Sequence, residues 1–115
     1  MRVRRRFRFE AAHRLPHHEG KCRELHGHSY ELVVNVDRPV DPASGMAIDF
    51  SDLKRVVRTE VVDRLDHRCV NDLMENPTAE LMARWIWDRL SDPLPGLVEI
   101  ELHETRECAV VYRGE

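Results

Sequence analysis

Cys22-Arg23-Glu24-Leu25-His26-Gly27-His28 sets a thiol four residues ahead of two imidazoles that are separated by a single glycine. On an extended backbone successive side chains alternate faces, so His26 and His28 project to one side and can share a metal ion, while Gly27 leaves the opposite side clear. A His-x-His pair alone is a weak signal, because such pairs also occur on solvated strands. A third imidazole strengthens it. In Phe9-Glu10-Ala11-Ala12-His13-Arg14-Leu15-Pro16-His17, His13 ends an alternating run and follows small residues that leave room beside it. Three neutral imidazoles with a fourth position open to water or substrate make a catalytic zinc site, whereas structural zinc sites close all four positions and usually recruit thiolates. His17 and His18 fall in the loop that follows and are left outside the set. Lys21 and Arg23 flank Cys22, an environment that favours a thiolate. Cys69 and Cys108 read as structural, Cys108 as a small core residue in phase with Val110 and Tyr112. With no C-x-x-C spacing, the three cysteines suggest neither a disulfide framework nor a thiolate zinc ribbon.

Such residues need a sheet to hold them, and the apolar pattern supplies one. Val3 to Phe9 and Tyr30 to Asp37 alternate in the manner of half-buried antiparallel strands. Asp41-Pro42-Ala43-Ser44-Gly45 is rich in turn formers, and Met46 to Phe50 suits a short extended piece. Ser51 then caps a helix whose apolar face comprises Leu53, Val56, Val57, Val61 and Leu65; Lys54 stands where a capping box would place Glu. Thr78 caps a second helix carrying Leu81, Met82, Trp85, Ile86 and Leu90 on one side, which assigns Trp85 to the core and Trp87 to a partly exposed surface or subunit contact. Pro93, Pro95 and Gly96 end it, and two last runs, Val98 to Leu102 and Cys108 to Tyr112, read as a closing hairpin. The order strand-strand-helix-helix-strand-strand, with residues 1–115 as a single domain, is an α+β fold on an antiparallel sheet.

At 115 residues the chain can bury a core, but a deep private active site is hard to build at this size, and symmetric association is the usual remedy. A net charge of -3 argues against nucleic acid as a partner, despite Arg2, Arg4, Arg5, Arg6 and Arg8 on the first strand. Those arginines suit an exposed or edge strand that resists aggregation. No apolar stretch approaches bilayer length, and the basic N-terminus lacks a following apolar segment, so no membrane partner is expected and the expected location is cytoplasmic.

Taken in order, several motifs resemble the 6-pyruvoyl-tetrahydropterin synthases, and among them the bacterial 6-carboxy-5,6,7,8-tetrahydropterin synthases of the queuosine pathway. They are the Phe9–His17 run, Cys22-x-x-x-His26-Gly27-His28, Ile48-Asp49-Phe50-Ser51-Asp52-Leu53-Lys54, Leu65-Asp66-His67, Glu75-Asn76-Pro77-Thr78-Ala79-Glu80, His103-Glu104-Thr105 and Tyr112-Arg113-Gly114-Glu115. The resemblance implies the tunnelling fold, in which trimers join their sheets into an oligomeric barrel and two trimers stack as a homohexamer with active sites between subunits. It implies zinc ligands at His13, His26 and His28, a catalytic cysteine at Cys22, a catalytic Asp-His pair at Asp66 and His67, and a pterin anchor at Glu104. Side chains adjacent in sequence diverge on any regular element, so Asp66 and His67 are not expected to serve Cys22 as a local cluster. The resemblance implies that they act across a subunit boundary, whereas by themselves they read as the end of the first helix, where a histidine cation is commonplace.

The implied reaction converts 7,8-dihydroneopterin triphosphate to 6-carboxy-5,6,7,8-tetrahydropterin with release of acetaldehyde and triphosphate. Two alternatives stand beside it: 6-pyruvoyl-tetrahydropterin formation without side-chain cleavage, and a catalytically silent pterin-binding oligomer. Glu24 reads first as an outward loop charge, while a glutamate at this point keeps a further mode of side-chain cleavage open. Three imidazoles also accept divalent ions other than zinc. For the triphosphate no phosphate-cradling glycine loop is present, and Arg14, Lys21, Arg23 and Lys54 read as solvated charges.

Overall fold

The computed structural model describes residues 1–115. Two twelve-residue strands, β1 (Arg2–His13) and β2 (His26–Asp37), pair antiparallel over their whole length, from Arg2 opposite Asp37 to His13 opposite His26. On the far side of β2 lie β4 (Leu97–His103) and then β5 (Ala109–Tyr112), both antiparallel. A two-residue β3 (Arg68–Cys69) adds a short parallel pairing to Ala11 and Ala12, giving the order β3-β1-β2-β4-β5. Two residues carry no period, which is why alternation in the sequence gives no sign of β3.

Period-two patterning divides the sheet. Phe7, Phe9, Ala11, Tyr30, Leu32, Val34, Val36, Ile100 and Leu102 are buried on one face, beneath helices α1 (Phe50–Val57) and α3 (Ala79–Leu90). The other face carries charge, and its pairs run between strands: Arg2 with Asp37, Arg4 with Asn35, Arg6 with Glu31, and Arg113 with Glu99. Their long side chains cover Val33 and Asn35, which are 1% and 0% exposed although no helix lies over them. The arginine-rich strand thus commits its charge to cross-strand contacts, ion pairs at Arg2, Arg6 and Arg8 and an amide at Arg4, consistent with the solvated reading of its charge.

Helix ends follow local hydrogen bonding. Thr78 caps α3 as expected, its hydroxyl accepting from the Leu81 N–H at 3.2 Å. At α1 the cap is Asp49, whose carboxylate accepts from the Ser51 N–H at 2.7 Å, so Ser51 lies inside the helix and supplies the donor. Met46 to Phe50 forms no strand, because Asp49 is committed to that cap and Phe50 opens the helix.

After α1 the chain passes through a π turn (Arg58–Val62) into the short α2 (Asp63–Leu65). Arg89 pins that turn to α3: its Nε donates to the Glu60 carbonyl at 2.7 Å and its guanidinium meets the Glu60 carboxylate at 2.9 Å while lying over the Trp85 ring. Trp85 is half-buried, packed against the core and covered by Arg89, while Trp87 packs edge-on against Tyr112.

Cys108 is exposed. It lies one residue before β5 starts, in the turn where its carbonyl accepts from the Glu104 N–H, so the inward phase of Val110 and Tyr112 does not reach it. Gly96, at φ +91°, feeds β4 so close to Asp37 that any Cβ would collide with the Asp37 carbonyl. No helix is long and apolar enough to cross a membrane.

Candidate functional site

The β1–β2 register assembles the histidines. His13 lies opposite His26 and Ala11 opposite His28, so all three imidazoles emerge from the helix-covered face at one end of the sheet. Their ligating nitrogens fall within 4.8 Å of one another, with the Nε2 atoms of His13 and His26 only 3.0 Å apart.

The opposite side of each of these two rings fixes the tautomer. His13 Nδ1 lies 2.9 Å from the Pro77 carbonyl and His26 Nδ1 lies 2.7 Å from the Glu24 carbonyl. A carbonyl only accepts, so each Nδ1 carries the proton and donates it, and in the neutral ring each Nε2 is left with a bare lone pair. Two bare lone pairs at 3.0 Å repel unless a cation lies between them. Neutral imidazoles oriented by backbone carbonyls and converging on one point fit zinc or another divalent ion.

Protonation follows the same logic. Burial pushes the His13 imidazole below its ordinary value; the Pro77 hydrogen bond and the Glu104 charge oppose that shift, and the neighbouring imidazoles reinforce it. His28 is lowered too, by burial first, with Glu104 opposing and His26 adding to the shift. The unfolded chain therefore takes up protons before these two rings do. Stability of the metal-free protein should be level above pH 6.5, the ordinary histidine value, and should fall as acidification proceeds below it. Thermal melts from pH 8 to pH 5 check this, and a midpoint that held steady below about pH 6.5 would contradict it.

Around the imidazoles are groups whose roles carry no signature in the sequence. Tyr30 is fully buried, stacked on its cross-strand partner Phe9, with its hydroxyl 3.2 Å from His13 Nδ1. Burial, with help from the Glu104 charge, pushes its phenol up, so it remains protonated.

Asn71 clamps the residue after His13. Its Oδ1 accepts from the Arg14 N–H at 2.9 Å, and its Nδ2 donates to the Arg14 carbonyl at 2.9 Å and the Glu75 carbonyl at 3.2 Å. One amide thereby ties the end of β1 to the segment that brings Pro77 to His13. Asn71→Leu, which keeps the volume and removes every one of these bonds, should weaken binding of a divalent metal at the three imidazoles about 10-fold, as expected for lost outer-shell support. Competition against a calibrated chelator measures this, and an unchanged affinity would remove Asn71 from that role.

Asp66 and His67 come together in a way that regular elements exclude. They occupy the turn after α2, where His67 adopts φ 59°, and its Nδ1 returns to within 3.0 Å of Asp66 Oδ2. The pair is fastened to the edge of β1: the Glu10 N–H donates to Asp66 Oδ1 at 2.8 Å, and the Glu10 carbonyl accepts from the His67 N–H. That Glu10 N–H is the main reason the Asp66 carboxyl is held below its usual range.

His67 borders an open hollow of about 470 Å³ floored by Ala12 and Gly27 and edged by Glu10 and Ser29. Those four residues belong to the charged face of the sheet, and the lining also takes in Ala11 and His28, whose neighbours in the strand period face the helices. Cys22 lies elsewhere again, half-buried on a 3-10 turn (Lys21–Arg23), with its carbonyl accepting from the Leu15 N–H at 2.7 Å. Within one chain, then, the three histidines and Glu104 form one group and Asp66 with His67 another, with Cys22 on the loop between β1 and β2. His17 and His18 stay outside, both exposed.

Known proteins share this architecture. The model of the family described as 6-pyruvoyl tetrahydropterin synthase matches residues 2–115. The chain belongs to that family. A protein of Synechocystis sp. named 6-carboxy-5,6,7,8-tetrahydropterin synthase is 47% identical over 113 residues, covering 92% of this chain and 88% of that protein. One of Pyrococcus furiosus named dihydroneopterin monophosphate aldolase is 43% identical, covering 81% and 77%. Among solved structures, the Caenorhabditis elegans 6-pyruvoyl tetrahydropterin synthase superposes with a TM-score of 0.82 at 29% identity, covering all of this chain and 96% of that one. The chain is thus an enzyme of the 6-pyruvoyl tetrahydropterin synthase family, with an α+β fold shared across the whole of its length.

Proposed function

We propose that this protein is a zinc-dependent carbon–carbon lyase that converts 7,8-dihydroneopterin triphosphate to 6-carboxy-5,6,7,8-tetrahydropterin, releasing acetaldehyde and triphosphate. The observation that carries this reading is the 47% identity, over most of both chains, to a protein named for that product. Zinc held by His13, His26 and His28 would act as a Lewis acid on the hydroxyls of the substrate side chain, lowering their pKa. Cys22 removes the carbon-bound proton, and His67, oriented by Asp66 at 3.0 Å, passes protons on. Glu104 accepts paired hydrogen bonds from the pterin ring N–H groups.

The position of Asp66 and His67 supports a site shared between subunits. Asp66 and His67 sit at the β3 edge of the sheet, beside a hollow lined chiefly by residues of the charged face, which supports their serving a neighbouring chain's histidines. A cytoplasmic homohexamer of two stacked trimers, supplying the queuosine pathway, completes the reading.

One observation favours a second mode of side-chain cleavage. The Pyrococcus furiosus relative is named an aldolase, and Glu24 lies beside the site, its carbonyl orienting His26. Purified, zinc-loaded protein incubated with 7,8-dihydroneopterin triphosphate separates the possibilities by product. Acetaldehyde and the 6-carboxy product in equal amounts support the lyase; a 6-pyruvoyl product without acetaldehyde would replace it with the synthase reaction. Any other aldehyde would point to the aldolase type of cleavage.

A further inference from the structure

Glu104 stands closer to the imidazoles than binding a pterin ring requires. Its Oε1 lies 3.6 Å from His13 Nε2 and 3.9 Å from His28 Nε2, over the edge between those two rings. His13 Nε2 is the nitrogen that points at the metal position, as its carbonyl-held Nδ1 shows. A tetrahedral zinc with bonds of about 2.0–2.1 Å places its ligand atoms about 3.3–3.4 Å apart. The 3.0 Å between His13 and His26 and the two Glu104 distances all fall within about 0.6 Å of that edge. The carboxylate already has nearly the spacing of a ligand to two of the three imidazoles, on a side chain that is 27% exposed.

We propose that Glu104 is the fourth, exchangeable ligand of the resting metal. Three imidazoles leave one position open. A carboxylate completes the tetrahedron and leaves a single net positive charge on a divalent ion in a partly buried pocket, which burial favours over two. The bond is exchangeable because Glu104 approaches from the exposed side, on the turn between β4 and β5, whereas His13 is locked by Pro77 and by full burial. Hydroxyls of an arriving substrate take the position, and the released carboxylate becomes available to the N–H groups of the ring. Metal occupancy and ring recognition are then linked through one side chain, so the site is closed to water when idle and opened by the molecule it acts on. This inference rests on the metal reading of His13, His26 and His28 given above.

Cobalt(II) takes the same donors as zinc and reports their number through its visible bands. The wild type, Glu104→Gln and Glu104→Asp are loaded with cobalt and titrated with azide, and zinc affinity is measured for each by chelator competition. In the wild type the carboxylate holds the fourth position, so azide should bind weakly. Glu104→Gln should shift the cobalt bands, bind azide about 10-fold more tightly and hold zinc about 10-fold less tightly. Glu104→Asp, one methylene too short to reach, should follow Gln. Circular dichroism of the metal-free forms should be the same in all three, since Glu104 is not part of the core. Bands, azide affinity and zinc affinity that are identical in wild type and Glu104→Gln would overturn the fourth-ligand assignment while leaving the three-histidine site standing. Failure of the wild type to take up cobalt at all would instead overturn the metal reading beneath it.

Discussion

His13→Ala is expected to lose metal, turnover and fold stability together, whereas His26→Ala loses metal and turnover but little stability. The difference lies in burial. His13 is completely enclosed, and its ring fills space beneath Tyr30 while giving the Pro77 carbonyl its donor. Alanine there leaves a cavity and an unpaired buried carbonyl, a loss of about 2–4 kcal/mol. His26 is half-exposed, and the Glu24 carbonyl it holds can turn to water instead. Removing either ligand should lower zinc affinity about 100-fold or more, beyond what an outer-shell change produces. Metal analysis and thermal melts of the metal-free variants measure the two effects separately. Equal zinc content in wild type and His26→Ala would contradict the ligand assignment; equal melting of the two metal-free variants would contradict the structural role of His13.

Cys22→Ala and His67→Ala are each expected to lower turnover by about 10²–10⁴-fold with zinc content unchanged, as loss of a general base or proton relay does. Their mixture tests the shared site. If the pair Asp66–His67 serves a neighbour, co-refolding equal amounts of the two variants creates some sites with an intact Cys22 from one chain and an intact His67 from the next. Random assembly restores about a quarter of wild-type activity, because each half is intact in about half the positions. Activity that stays at the level of the single variants would mean that Cys22 and His67 act within one chain.

Which parts of this were legible beforehand follows from where each interaction is written. His13, His26 and His28 could be matched because strand period is two and histidine is a rare, chemically explicit residue. Backbone carbonyls carry no such mark. Nothing in Pro77 or Glu24 announces that their carbonyls fix two tautomers, and Asn71 looks like any loop amide until its three bonds to Arg14 and Glu75 are seen. The pairing of Asp66 with His67 escaped regular-element reasoning because it depends on a positive φ at a non-glycine residue. Helix faces were readable from Leu53 to Leu65 as one run, but the π turn inside it was not, since a one-residue insertion shifts phase without altering composition. Cys108 shows the opposite failure: its phase was correct for the core, and the strand simply begins one residue later.

The facing of His13 and His26 across one hairpin also has a bearing on how such a protein can change over time. The ladder sets where His13, His26 and His28 stand, and within the connection 14–25 the Glu24 carbonyl orients His26 while Asn71 holds the Arg14 backbone, so the stretch between those two ends can change length with the least disturbance to the histidines. Cys22 and Glu24 travel on that connection. Insertions there would re-aim Cys22, the proposed base, while leaving the three imidazoles together, so one histidine anchor could host a succession of different chemistries.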